Sequence, residues 1–359
     1  MTIKDIIYSV HQDLEQITNI SVKRSHIYEV LAAAYSFKTY ASLASQAVLI
    51  QLKHLDSVHT VNIEQIQKRF EELGYNSILA KELPLIIRDR RIGALTLEDL
   101  VNELKNEDFS IDYDWEHENS SQQLNPEVFQ VLETSAKIGN PLSHYALALH
   151  HQNSDEIDND ETISDYWYKQ KQLGRELSDI EKEFARAYQQ KLTSKNKYQF
   201  HLREAARLGC DLAQLDLAEK FDDPTFFEGN HRNIDADPMK IAEVAESIGR
   251  PVDHHTWLTI AAEAGNVRAM RELIESYDSK DLARCWTWVY LSQSLEHDLT
   301  QDRYYGMHDD GSVYDDDIGG TLHVGGEGGV ELPLLEPSND LLARNAAEKL
   351  SKLIQALHK

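Results

Sequence analysis

The sequence predicts an all-α protein in which helix pairs stack into an α/α solenoid, preceded by a small helical amino-terminal domain and carrying a short β-hairpin near the carboxyl end. Three observations predict it. The stretch "LTIAAEAGNVRAM", residues 258–270, sets Ala261, Ala262, Gly265 and Ala269 at fixed intervals inside an otherwise helical pattern. The same spacing returns twice upstream, and apolar residues elsewhere recur three and four positions apart, as one face of a helix requires.

From the amino end, residues 3–17 read as a helix, and "VKRSHIYEVLAAAYSFKTYASLA", residues 22–44, as two short ones. Ile27, Val30, Leu31 and Ala34 form a stripe on the first of these, and Tyr40, Leu43 and Ala44 on the second. Further helices are expected in "IEQIQKRFEELGY", "SILAKELPLIIRDRRI" and "TLEDLVNELKN", the last capped by Thr96. Residues 1–106 therefore form a helical module. The polar, acidic residues 107–125 are the expected linker, and residues 126–359 the repeat region with its carboxyl-terminal capping segment.

In the repeat region, "LETSAKIGNPLSHYALAL" aligns Ser135, Ala136, Gly139, Ser143 and Leu147 with Ala205, Ala206, Gly209, Ala213 and Leu217 of "LREAARLGCDLAQLDLAE". The opening copy supplies Ala261, Ala262, Gly265, Ala269 and Leu273. A degenerate copy centres on Gly174, midway between Gly139 and Gly209, but has Gln170 and Lys171 where the alanines would stand. A fifth, "CWTWVYLSQSLEHDL", has Glu296 in the glycine position. Each unit makes sense as two antiparallel helices. The glycine ends the first in the left-handed conformation, a polar residue such as Asn266 caps the second, and small side chains let the backbones approach. One pair cannot bury its apolar face alone, so neighbours must stack. Between Gly209 and Gly265 the interval is longer, and Asp237 as cap, Pro238 at a first helical position, and Ile241, Val244, Ala245 and Ile248 on one face predict an inserted helix.

This pattern resembles the Sel1-like repeats, relatives of tetratricopeptide repeats, over roughly residues 126–300. The resemblance implies an adaptor or scaffold that holds another protein on a superhelical surface. Residues 22–44 are similar to a small helical module at the ends of some bacterial proteins labelled as related to glyoxalases. That label implies no activity here, because the paired strand units and the metal-binding His and Glu of glyoxalases are not recognisable.

Charge narrows the partner. The formal net charge is -25; residues 1–105 hold 12 Lys/Arg against 13 Asp/Glu, and residues 106–359 hold 24 against 48. A surface of this sign argues against a nucleic-acid groove; it suits a basic protein partner, or else simply keeps the protein in solution. Lys23, Arg24 and Lys38 are too few for a DNA reader, so the amino-terminal helices read as a packing or docking module. No apolar run approaches the roughly 20 residues of a membrane span, and the acidic, helical start is unlike a signal peptide. Cytoplasmic residence is the expectation. Cys210 and Cys285 read as small buried hydrophobes.

Chemistry is sparse. No nucleophile elbow, phosphate-binding glycine loop or zinc-protease helix is present, so neither a catalytic residue nor a cofactor is expected. The adjacent pairs His150–His151 and His254–His255 point in different directions on a helix and read as caps or solvent-facing residues. Trp286, Trp288 and Tyr290 stand at helical spacing and read as core. The alternative to an adaptor is a divalent-metal-binding protein or hydrolase organised on residues 308–331. There Asp309, Asp310, Asp315, Asp316 and Asp317 lie close to His308, His323 and Glu327, in a spacing that departs from the EF-hand pattern. The simpler expectation is that "TLHV" and "VEL" form a hairpin, with the aspartates bonding their own turns; some Sel1-like proteins end in a comparable acidic, glycine-rich segment. A last helix, capped by Ser338 and apolar at Leu341, Leu342, Ala346, Leu350, Leu353 and Ile354, would close the stack.

Overall fold

A computed structural model describes residues 3–51, 61–105, 124, 126–156, 164–231, 234–308 and 323–357. The chain divides into two compact units, Met1–Leu217 and Ala218–Lys359. Among the described residues the secondary structure is mostly helical, with two small antiparallel sheets. Of the expected linker at 107–125, only Leu124 lies within the described residues.

The first unit opens with α1 (Ile3–Thr18), α2 (Arg24–Ala34) and α3 (Tyr40–Gln46), followed by β1 (Ala47–Gln51), α4 (Ile63–Glu72), α5 (Ser77–Asp89), β2 (Ile92–Thr96) and α6 (Leu97–Lys105). The helices fall where apolar periodicity places them. Ile6, Ile7, Val10 and Leu14 of α1 meet Ile27, Val30 and Leu31 of α2, Ile66 and Phe70 of α4, and Leu79, Leu83 and Ile87 of α5 in one core. The sheet corrects the expectation of an all-helical module. β1 and β2 pair antiparallel from Ala47↔Thr96 to Gln51↔Ile92, and residues 47–50 and 92–95 are buried. Strands covered on both faces show no polar alternation, so "AVLI" and "IGAL" carry no period-two signal.

The same unit continues through α7 (Pro126–Lys137), α8 (Pro141–Glu156), α9 (Tyr166–Gln172), α10 (Asp179–Arg207) and the start of α11 (Asp211–Phe221), within which the two units divide. α6 and α7 pack on α8, α8 and α9 on α10, and Asn140 Nδ2 donates to Ser45 O at 2.6 Å. The interval from Gly174 to Gly209 corrects the scheme of one helix pair per repeat: α10 runs through it as a single 29-residue helix. No glycine or proline lies between those two glycines, and the capping box of Ser178 and Glu181 starts a helix that nothing interrupts.

The second unit holds a 3-10 turn (Pro224–Glu228), α12 (Pro238–Ser247), α13 (Pro251–Glu263), α14 (Val267–Glu272), a π-helical turn (Leu273–Tyr277), α15 (Leu282–Ser294), β3 (Arg303–Met307), β4 (His323–Glu327) and α16 (Pro337–Leu357). α12 is the inserted helix, begun by Asp237, whose carboxylate accepts from Met239 N at 2.9 Å. β3 pairs with β4 from Arg303↔Glu327 to Met307↔His323, so the hairpin partner of 323–327 is not the expected "VEL" segment. α16 begins at Pro337, where Glu336 O accepts from Asn339 N and Asp340 N, rather than at a Ser338 cap. Its buried stripe is Ala343, Ala347, Ser351 and Ile354, while Leu341, Leu342 and Leu353 are exposed.

The glycine hinges have one local geometry. Gly139, Gly174, Gly209 and Gly265 have φ of 90°, 83°, 91° and 100°. At the last, Gly265 N donates to Ala262 O and Asn266 N to Ala261 O, both at 3.0 Å, the paired bonds of a Schellman motif. Ala205 O and Ala206 O accept the corresponding bonds at Gly209, and Ser135 O and Ala136 O at Gly139. The paired small residues thus supply the closing carbonyls, while their side chains are buried with Ala213 and Ala269 of the following helices. Asn140 and Asn266 cap those next helices through Ser143 N and Ala269 N. Gly249, φ 72°, closes α12 against α13 in the same way.

Candidate functional site

Two places in the second unit and one in the first gather polar and aromatic side chains. The first place is built by the hinges around α13. Gly249 turns the chain so that Glu246 ends α12 and His254 enters α13; Gly265 then turns it back so that Glu272 ends α14. In the π-helical turn, Asp278 N donates to Leu273 O at 2.6 Å, and the widened turn aims Tyr277 at α13. His254 is 3% exposed. Its Nδ1 lies 2.9 Å from the Tyr277 hydroxyl and its Nε2 3.1 Å from Glu272 Oε1. Burial, with Glu272 and Glu246 nearby, raises the Tyr277 phenol, which stays protonated. The Tyr277 ring stacks on His255 at 3° and 4.8 Å, so the two adjacent histidines grip one tyrosine, His254 by its hydroxyl and His255 by its face. The expectation that both cap a helix or face solvent is corrected for His254.

Asp278, buried, anchors the next helix. It accepts from Trp288 Nε1 at 2.8 Å and pairs with Arg284 at 2.9 Å, and its carbonyl accepts from Cys285 Sγ at 3.1 Å. Burial and the Asp278 carboxylate push the Cys285 thiol up to about 11, and burial raises Cys210 as well, so both behave as inert hydrophobes.

The second place is an open groove of about 820 Å³ between α15, residues 330–335 and α16. Trp286 and Tyr290 form one wall, Leu332, Leu334 and Leu335 another, and Glu331 and Asp340 add acid. Trp286 Nε1 donates to Pro333 O at 2.8 Å, fixing the segment opposite. The Tyr290 hydroxyl donates to Asp340, and the Arg344 guanidinium lies 4.0 Å above the Tyr290 ring while bonding Asp340 at 2.9 Å. Hydrogen bonds from Arg344 and then Tyr290 hold Asp340 below the usual carboxylate range. Of the three aromatics read as core, Trp288 is buried; Trp286 and Tyr290 are half-buried and line this groove.

In the first unit, His144 and His151 of α8 meet His201 of α10, and His150 packs on His151 and Phe129. His144 Nε2 donates to Ala136 O at 3.1 Å, which leaves Nδ1 to accept from His201 Nδ1 at 3.0 Å. His151 stacks on His201 at 6.0 Å and 22°, with Phe129 and Phe200 against the cluster. Burial first, then neighbouring positive charge, pushes His150, His151 and His201 down to about 4, about 3 and about 4. All three are neutral at pH 7.

Asp309, Asp310, Asp315, Asp316 and Asp317, the candidate ligands of the alternative reading, lie outside the described residues. Glu327, at the end of β4, pairs with Arg271 at 2.9 Å. The repeat-defining residues Ala136, Gly139, Gly174, Ala205, Ala206, Gly209, Ala213, Ala261, Ala262, Gly265 and Ala269 all stand at helix ends and hinges. Glu246, Glu272 and Tyr277 carry no local signal in the sequence, because they are 8, 18 and 23 positions from His254 and meet it only through the hinges.

Among the described residues, no helix is long and apolar enough to cross a membrane. Comparison with protein-family models, curated proteins and solved structures returned no match.

Proposed function

We propose that this protein is a noncatalytic adaptor of the bacterial cytoplasm, a Sel1-like, tetratricopeptide-related solenoid that binds a basic segment of another protein. The observation that carries the reading is the groove lined by Trp286, Tyr290, Leu334 and Leu335 with Glu331 and Asp340 beside them. Half-buried tryptophan and tyrosine, with Arg344 beside them, are the residue types that interface hot spots favour, and the exposed leucines add apolar contact area around them. Leu334 is 88% exposed, more than packing within the chain accounts for. The net charge of -25 steers a cationic partner and repels anionic ones, nucleic acid included. A chaperone-like or immunity-type partner of a basic toxin is the narrower form of the same role.

The test is affinity capture with the full chain and with Leu334→Asp, at about 50 mM and about 500 mM salt. A partner held by the wild type at low salt, weakened at high salt and lost from the variant supports the reading. Equal capture by both proteins places binding elsewhere, and salt-insensitive capture removes the electrostatic part.

A further inference from the structure

We propose that Glu246, His254 and Glu272 form a binding site for one divalent transition-metal ion, zinc being the preferred occupant. None of the three residues belongs to the groove or to residues 308–331. One ligand atom from each residue lies within 4.8 Å of the other two. The His254 Nε2 to Glu272 Oε1 separation of 3.1 Å is already close to the ~3.3 Å edge of a tetrahedron with zinc bonds of about 2.0–2.1 Å. Glu246 sits at the exposed side, so rotation of a flexible, solvated carboxylate completes the set, and an ion can enter from solvent.

Three features favour a metal over a simple ion pair. The imidazole is held from behind: the Tyr277 hydroxyl, 2.9 Å from Nδ1, can accept from an Nδ1–H and so fix the tautomer that frees the Nε2 lone pair. The π-helical turn immediately after Glu272 places that tyrosine, and such turns recur at functional positions. Two carboxylates converge on one point while the neighbouring arginines are engaged elsewhere: Arg250 with Asp253 at 2.6 Å, Arg268 with Glu243 at 3.0 Å, and Arg271 with Glu275 and Glu327 at 2.9 Å. One imidazole nitrogen with two carboxylate oxygens suits zinc or its first-row neighbours; calcium and magnesium prefer all-oxygen sets. Three protein ligands leave the remaining position to water.

The experiment is zinc titration by calorimetry of the chelator-stripped full chain, with melting followed in parallel. One ion per chain, a raised Tm, and visible absorption of a low-coordinate cobalt derivative are expected. Glu246→Gln, at an exposed position, should keep the fold and weaken zinc by at least about 10-fold; Tyr277→Phe should weaken it about 10- to 100-fold, as loss of an orienting partner does. Asp309→Asn/Asp310→Asn should leave it unchanged. No stoichiometric zinc binding, or binding that survives Glu246→Gln/Glu272→Gln, overturns the proposal; in the second case the zinc lies elsewhere.

Discussion

The Tyr145 hydroxyl donates to Asp216 Oδ2 at 2.7 Å, tying α8 to α11 through two buried side chains. Burial and then the Asp216 charge raise the Tyr145 phenol, so the proton stays on the tyrosine and the carboxylate accepts it. A buried carboxylate that loses a donor keeps its desolvation cost. Tyr145→Phe should therefore destabilise the chain by about 1.5–3 kcal/mol, measured by urea unfolding; a change below about 0.5 kcal/mol would show that the bond contributes little.

The histidines of α8 and α10 set an acid limit. Their pKa values lie below the unfolded value of about 6.5, so between that pH and about 4 the unfolded chain binds protons that the folded chain refuses. Their contribution to stability is present above pH 6.5 and is lost as pH falls toward about 4, solvent screening making it smaller at the half-buried His150 and His201 than at buried His151. Hydrogen exchange of α8 and α10 amides should accelerate between about pH 7 and about pH 5 after correction for intrinsic rates, and His151→Leu should flatten that dependence.

Leu334→Asp should change stability by no more than about 0.5 kcal/mol, because an exposed side chain is altered without a buried contact. Thermal unfolding checks this and separates loss of partner capture from loss of fold.

Cys210 and Cys285 should resist a thiol reagent in the native protein and react together on denaturation. Both are buried, and both thiols are raised by that burial. Rapid native labelling of Cys285 would contradict its placement against Asp278.

What could be read from the sequence follows the range of the interactions. A Schellman hinge is closed by residues within six positions, so Ala261, Ala262 and Gly265 announce it, and Asp237–Pro238 announces α12 equally locally. β1 and β2 are 40 residues apart and buried on both faces, which removes both the alternation and the short turn that would mark them. β3 escaped notice for the second reason: residues 308–322 separate it from β4. The Leu341 and Leu342 stripe of α16 misled because apolar periodicity shows that a helix is amphipathic, not which stripe is covered; alanines let α16 lie close to α15. The surroundings of His254 were least accessible, since the Gly249 and Gly265 hinges and a π-helical turn must be in place before its neighbours arrive.

The central claim, that helix hairpins closed by a left-handed residue build this chain, is tested most directly by two substitutions with opposite signs. Glu296 has φ 65° where its repeat lacks glycine, and Glu296 N and His297 N close on Gln293 O and Ser292 O as Gly265 and Asn266 close on Ala262 O and Ala261 O. Urea unfolding should show Glu296→Gly stabilising by about 1 kcal/mol and Gly265→Ala destabilising by about 1–2 kcal/mol. A Cβ at Gly265 would meet only ordinary contacts at 3.5 Å, so the effect there is conformational. Shifts of the same sign, or no shift in either variant, would contradict the account.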